Sequence, residues 1–170
     1  MVAAGYQEII AYTTTSAERL QRLYGGDTTN SADETGCLVG NRFLPINLAP
    51  LRLVNPLRAD EDSLRTASLG QLLETLSANR RFTDYDLSLF ELGKIFVPSN
   101  DSLPEERLLL TAVTGHKLSI AGWDQQREST FFDMKGLGEL LLRRFNIKEF
   151  ETKPFRHPTF HTGRCATLSS

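Results

Sequence analysis

Apolar residues recur with two distinct periods along the chain, and each period predicts a type of regular structure. Leucines at 69, 72, 73 and 76 follow the i, i+3, i+4, i+7 spacing of one face of a helix. Residues 87–97 instead carry apolar side chains on both parities, which is typical of a strand covered on both faces. We therefore expect the strand at 87–97 to lie at the centre of a sheet.

The same reasoning predicts further elements on both sides of this region. Strands are expected at residues 6–13, 51–54, 107–114, 150–153 and 164–168, and helices at residues 16–24 and 131–145. Thr15-x-x-Glu18 and Ser68-x-x-Gln71 match the capping-box pattern of a helix start. Because no regular strand–helix–strand alternation is present, the pattern favours an α+β fold with an antiparallel sheet flanked by helices.

The length of 170 residues suits one domain. Residues 25–49 are rich in turn-forming residues, and we interpret them as an irregular loop or insertion. The formal net charge of −2 argues against a surface dedicated to nucleic acid, because such surfaces usually show an excess of basic residues.

The two cysteines, Cys37 and Cys165, are far apart in the sequence and form no CxxC pair. We expect free thiols in a reducing cytosol, and thus a cytoplasmic protein. The sequence contains no apolar run near the ~20 residues that a membrane helix needs. Its N-terminus also lacks the basic and apolar regions of a signal peptide.

A possible metal site is suggested by His157, His161 and Cys165, which are spaced by four residues. That spacing would align three ligands on a helix, but Pro158 and Gly163 interrupt any helix here and no fourth ligand is near. We interpret both histidines as surface or loop residues and assign no metal ligand.

Two other patterns have weak catalytic or binding interpretations. The carboxylates at 60–62 could attract a cation, but three adjacent carboxylates cannot all converge on one ion, so we expect a solvated loop. Gly136-x-Gly138 lacks the further features of a phosphate loop and lies in a helical pattern, which favours helix packing. No Gly-x-Ser-x-Gly sequence is present. We therefore assign no catalytic or cofactor-binding residue.

Four blocks of the chain resemble, in order, segments of the beta subunit of bacterial phenylalanyl-tRNA synthetase. Residues 53–96 contain an Asn-Pro-Leu turn, an acidic stretch, an Arg-Thr pair, a leucine-rich helix and the strand LFELGKIF. The other blocks are GYQEII at 5–10, FFDMKG at 131–136 and FHTGRCA at 160–166. Gly70 departs from the family, which usually has proline there, and residues 25–49 do not align with it.

The resemblance implies a class II aminoacyl-tRNA synthetase fold that lacks the catalytic residues. In catalytic members, a similar strand leads to an Arg-x-Glu whose arginine holds the α-phosphate of ATP, since a planar bidentate cation suits phosphate oxygens. Here the strand continues into Val97-Pro98-Ser99-Asn100, and the glycine-rich third motif with its arginine is absent. The resemblance therefore implies an incomplete, inactive version of the fold.

The resemblance also implies a function and partners. Residues 1–170 are expected to be a fragment of the beta-subunit core, with a structural role in an enzyme that joins phenylalanine to its tRNA. The parent enzyme would use ATP and Mg²⁺ and pair alpha with beta subunits as α2β2, with tRNA bound by the full assembly. No cofactor is assigned to the chain itself.

By the same resemblance, Tyr6, Ile10 and Tyr12 are expected to form part of an apolar subunit interface, since they share one parity of the first predicted strand. An exposed patch of this kind predicts self-association of the isolated chain. The alternative is a free-standing protein-interaction module on the same fold. A third hypothesis, an independent ATP-dependent ligase, is disfavoured by the missing Arg-x-Glu.

Overall fold

A computed structural model describes residues 1–24, 36–39, 42–45, 49–82, 87–99, 103–115, 117–119, 126–157 and 159–170. The helices are α1 (Ala17–Tyr24), α2 (Leu69–Asn79) and α3 (Phe131–Arg144). The strands are β1 (Gln7–Glu8), β2 (Thr14–Thr15), β3 (Gly36–Val39), β4 (Arg42–Pro45), β5 (Ser63–Leu64), β6 (Ser88–Val97), β7 (Glu105–Thr114), β8 (Lys117–Ser119), β9 (Gln126–Glu128), β10 (Glu151–Pro154) and β11 (Ala166–Ser169). All three predicted helices and the longest predicted strands are thus confirmed, within a residue or two at most ends.

The main sheet has the strand order β1-β6-β7, so β6 is central among the described strands, as predicted. β7 runs antiparallel to β6 along its whole length, from Ser88 opposite Thr114 to Val97 opposite Glu105. β1 is parallel to β6. Four separate two-stranded sheets, all antiparallel, complete the described part of an α+β fold.

The core lies on both faces of β6. On one face, Leu89 and Val113 pack against the α2 leucines Leu72 and Leu76. On the other, Phe90 packs against Tyr6 and Leu137. The predicted coverage of both faces is therefore confirmed around residues 89 and 90.

Coverage of the second face ends after Phe90. Leu92, two residues further along the same face of β6, is 54% exposed. Leu108 and Leu110 of β7 are exposed as well. The prediction of a strand buried along its entire length on both faces is therefore wrong at Leu92, because none of the described elements covers this end of the sheet.

The first predicted strand is much shorter than expected. Only Gln7–Glu8 pairs with β6, and the last ladder bond runs from the amide of Ile9 to the carbonyl of Phe90 at 2.9 Å. The chain then leaves the sheet, so the prediction is wrong for residues 10–13. The predicted strand at 51–54 is reduced to a single bridge between Arg52 and Ser63.

Both predicted capping boxes are wrong. Thr15 lies in β2, and the hydroxyl of Ser16 accepts a hydrogen bond from the amide of Arg19 at 3.2 Å. Ser68 stands at the start of α2 without capping it, because its hydroxyl is hydrogen-bonded to that of Thr111.

A capping box that sequence reasoning missed is present at α3. The side chain of Thr130 accepts from the backbone at Asp133, whose carboxylate accepts from the Thr130 amide. The Thr-x-x-Asp spacing, with a short acid in place of the usual glutamate, is the signal that could have found it.

Residues 25–49 contain a β-hairpin, in which β3 pairs antiparallel with β4. The prediction of an irregular segment is therefore wrong for these two strands. The parts of this segment at residues 25–35, 40–41 and 46–48 lie outside the described residues. Within the described residues, no helix is both long and apolar enough to span a bilayer.

Candidate functional site

The most unusual feature of the described core is a buried ion pair between Arg65, just after β5, and Glu91, in the middle of β6. The two side chains are only 1% and 3% exposed. Nη1 of the arginine donates to Oε2 of the glutamate and Nη2 donates to Oε1, both at 2.9 Å. This bidentate geometry is the strongest arrangement available to a guanidinium and a carboxylate.

Further hydrogen bonds occupy other donors of the arginine. Nε of Arg65 donates to the carbonyl of Lys94, and Nη1 also donates to Oε1 of Gln71, each at 2.9 Å. A buried ion pair offsets its desolvation cost only with such additional partners. Gly93 lies directly beside the pair, and its lack of a side chain leaves space for the guanidinium.

The side chains of Glu91 and Gln71 and the backbone of Arg65 hold residues 11–14, which lie outside the main sheet and lead into the pairing of β2 with β5. Oε1 of Glu91 accepts the amide of Ala11 at 3.2 Å. Nε2 of Gln71 donates to the carbonyls of Tyr12 and Thr14, at 2.7 and 3.0 Å. The amide of Arg65 donates to the carbonyl of Thr13 at 2.9 Å.

Sequence reasoning used Arg65, Glu91 and Gly93 only as letters of a family motif and missed the network they form. The available signal was a glutamate within an otherwise apolar, buried strand, since a buried charge requires a partner. Gln71 was assigned to a capping box, whereas its amide instead bridges α2 and the N-terminal segment.

The three predicted interface residues divide into one core residue and two exposed ones. Tyr6 is 7% exposed, and its hydroxyl contacts Thr114 and Met134, so it cannot contribute to an exposed patch. Ile10 and Tyr12 are 95% and 78% exposed. We call Ile10 and Tyr12 the apolar strip; its role in subunit contact stays a prediction.

The end of β6 offers no arginine at the position that catalytic class II enzymes use for ATP. Val97 stands there with 4% of its surface exposed, followed by Pro98. Of the basic side chains on β6 and β7, Lys94 pairs with Glu106 and Arg107 pairs with Glu105, both at 2.8 Å. At the described end of β6, Val97 is therefore a packing residue.

The acidic loop at 60–62 is neutralised by arginines. Its three carboxylates each face a different partner: Asp60 faces Arg58, Glu61 faces Arg19, and Asp62 faces Arg52. The hydrogen bond from Arg58 lowers the pKa of the Asp60 carboxyl, and those from Ser63 and Arg52 lower the pKa of Asp62. The three carboxylates therefore have separate partners, but the loop is less solvated than we expected, because only 11% of the Glu61 side chain is exposed.

The prediction of a surface histidine is wrong for His157. This residue is 8% exposed and lies beside the rings of Phe155 and Phe160. Its Nδ1 accepts the amide of Thr159 at 3.1 Å, and burial lowers its pKa. His161 is exposed, and Cys165 is a half-buried free thiol. Across the described ranges, no cluster of three or more His, Cys, Asp or Glu residues could hold a metal ion.

The two glycines of Gly136-x-Gly138 differ in their surroundings. A Cβ atom at residue 138 would lie 2.7 Å from Cδ1 of Leu168, so Gly138 permits α3 to approach β11 closely. This confirms the packing interpretation for Gly138. Nothing lies within 4 Å of the corresponding position at Gly136, so packing does not require a glycine there.

Comparison with known proteins identifies the family. A profile of the phenylalanyl tRNA synthetase beta chain CLM domain matches residues 1–170. The chain belongs to this family. The phenylalanine–tRNA ligase beta subunit of Syntrophotalea carbinolica is 31% identical over 171 residues, which cover 99% of this chain and 19% of that protein. The beta subunit of Dehalococcoides mccartyi strain 195 is 33% identical over 144 residues, covering 84% of this chain and 16% of that protein.

These matches confirm the resemblance found in the sequence, and they show that the chain spans about a fifth of its relatives' length. Among solved structures, pyrrolysyl-tRNA synthetase from Desulfitobacterium hafniense matches with a TM-score of 0.56 and 14% identity. The match covers 89% of this chain and 45% of that one. At this level of identity the likeness shows the fold alone, which is that of a tRNA synthetase domain.

Proposed function

We propose that the chain forms a non-catalytic structural core of a phenylalanine–tRNA ligase beta subunit. In this role it supports the ATP-dependent attachment of phenylalanine to tRNA, which the alpha subunit catalyses. The observation that carries this proposal is the state of β6, the strand most similar to a catalytic one. Its end carries buried Val97 in place of an arginine, and the arginine beside it, Arg65, is fully enclosed.

The chemistry of phosphate binding supports this proposal. An arginine that binds ATP must present its guanidinium fork to the phosphate oxygens. The fork of Arg65 is already occupied by Glu91, Gln71 and the carbonyl of Lys94, and 1% of its side chain is exposed. Under this proposal ATP and Mg²⁺ act at the alpha subunit, in the cytoplasm.

The apolar strip supplies the proposed contact with the alpha subunit. Ile10 and Tyr12 expose large side chains from a segment whose backbone is fixed by the buried network. Obligate subunit interfaces are more apolar than ordinary surface and are enriched in tyrosine. We propose that the assembly is α2β2 and that tRNA binds to the complete enzyme.

Pyrophosphate exchange tests the absence of catalysis. The purified protein, supplied with ATP, Mg²⁺ and phenylalanine, should show no exchange above a protein-free blank. When the alpha subunit from the same organism is added, adenylation should take place at the alpha subunit and not at this chain. Phenylalanine-dependent exchange by the purified protein alone would contradict the proposal.

Co-purification tests the partner and the surface. Co-expression with the alpha subunit should yield a complex, and Ile10→Asp with Tyr12→Asp should weaken it by placing charges in an apolar interface. Leu103→Asp, at another exposed leucine (76%), is the control and should leave the complex intact. Equal yields of complex from the strip variant and the parent would reject the strip as the interface.

A further inference from the structure

We infer that Gln71, together with the Arg65–Glu91 pair, is the positioning element of the apolar strip and thereby sets the affinity of the subunit contact. This inference rests on the proposed function, since it concerns the same interface. It assigns an assembly role to a glutamine that is not itself part of the proposed contact surface.

The pairing of the N-terminal segment with β6 ends just before the apolar strip. After the hydrogen bond from Ile9 to Phe90, the next ladder begins at Thr14, where β2 pairs with β5. Between these ladders, Ala11 and Tyr12 bond to the side chains of Glu91 and Gln71. Residues 10–12 thus lie between two ladders and belong to neither, so the position of the apolar strip depends on what else satisfies their backbone groups.

Three residues supply the hydrogen-bond partners of this segment. Between them, Glu91, Gln71 and the amide of Arg65 satisfy one backbone group in each of four successive residues, 11–14. The two hydrogen bonds from Gln71 are made to the carbonyl of Tyr12 itself and to the carbonyl of Thr14, two residues later. Gln71 therefore controls the part of the segment that bears the tyrosine.

The side chain of Gln71 is itself held in place by the buried ion pair. Oε1 of Gln71 accepts from Arg65, whose guanidinium is fixed by Glu91 and by the carbonyl of Lys94. The amide orientation of Gln71 is thus dictated from inside the core, and its Nε2 is directed at the segment. Holding a contact surface in its bound geometry before association reduces the ordering cost of binding.

The experiment uses Gln71→Glu, which keeps an acceptor for Arg65 but replaces the two donors by an oxygen facing two carbonyls. Gln71→Met is the second variant, neutral and of similar length. Thr75→Val, one turn further along α2, is the matched control, because the Thr75 hydroxyl bonds only the carbonyl of Gln71. Each variant is co-expressed with the alpha subunit, and the dissociation constant is measured by sedimentation, with hydrogen exchange of the free protein followed alongside.

We expect both Gln71 variants to weaken association about tenfold, the effect of losing two hydrogen bonds. Exchange should accelerate at residues 11–15 and stay unchanged in β6 and β7, while Thr75→Val should alter neither quantity. In a Tyr12→Ala background, Gln71→Glu should have no further effect on association, because the residue through which it acts is gone.

Two results would overturn the inference. One is an unchanged dissociation constant for both Gln71 variants when strip variants do weaken the complex. The other is a full, additive effect of Gln71→Glu in the Tyr12→Ala background, which would show that Gln71 does not act through the strip. If the strip variants themselves leave the complex intact, the interface in the proposed function fails, and this inference fails with it.

Discussion

Gly93 lies against the guanidinium of Arg65 so closely that a Cβ atom at residue 93 would overlap Nη2. The same atom would lie 2.8 Å from Oε1 of Glu91. The end of an arginine side chain can normally move aside, but this one is fixed by four hydrogen bonds in a buried site. The ion pair can therefore form only if residue 93 of the LFELGKIF strand has no side chain.

Gly93→Ala should therefore destabilise the protein by about 3 kcal/mol, because the methyl group would separate a buried ion pair. Gly136→Ala is the control: the site is open and helical, so the change should stabilise by about 0.5–1 kcal/mol. Chemical denaturation of both variants gives the two free energies of unfolding. Equal stability of the two variants would mean that residue 93 tolerates a side chain.

The uneven coverage of β6 predicts opposite outcomes for two neighbouring leucines. Leu89 is 2% exposed and packs against α2, so Leu89→Ala should cost about 2–5 kcal/mol. Leu92 lies on the other face and is 54% exposed, so Leu92→Ala should change the free energy of unfolding by no more than about 0.5 kcal/mol. The midpoints of urea unfolding measure both, and a large loss at Leu92 would show that this face is covered.

The capping box of α3 predicts how the stability of the folded protein depends on pH. A hydrogen bond from Arg127, followed by bonds from Thr130, lowers the pKa of Asp133 well below its usual value. A lowered folded-state pKa contributes stability above the unfolded pKa of about 3.9, and this contribution is lost as the pH falls through the folded value.

Asp133→Asn should thus be less stable than the parent by about 1 kcal/mol at neutral pH. The difference should narrow progressively below about pH 4, where the unfolded parent takes up a proton at Asp133 while the folded parent still keeps its carboxylate. Thermal unfolding of both proteins from pH 7 to pH 2 measures this difference. A gap that stays constant over the whole range would rule out the lowered pKa as its origin.

The elements that the sequence predicted well are those with long periodic patterns. β6 and α3 repeat their apolar positions over ten or more residues, so a single residue that departs from the pattern does not obscure the period. The burial of Tyr6 could not be predicted in this way, because β1 has only two residues. Alternation along so short a strand does not determine which of the neighbouring side chains are buried. The chain bends away after Ile9, and Tyr6 and Tyr12 then have opposite environments.

The network could not be derived from local patterns, because its members are distant in the sequence. Ser68-x-x-Gln71 has the letters of a capping box, but tertiary partners take both side chains: Thr111 bonds Ser68, and Arg65 bonds Gln71. A local motif competes with any stronger partner that the fold brings near, and here a buried guanidinium is that partner.

The buried pair also restricts how this sequence can evolve. Loss of Arg65 or Glu91 alone leaves an uncompensated charge in the core, and any side chain at Gly93 collides with the pair. Single substitutions at these three positions are therefore disadvantageous, although replacing the charged pair with apolar residues could be neutral. Descendants of this gene are expected to inherit the three residues together or to exchange them together, while the exposed surface around them diverges.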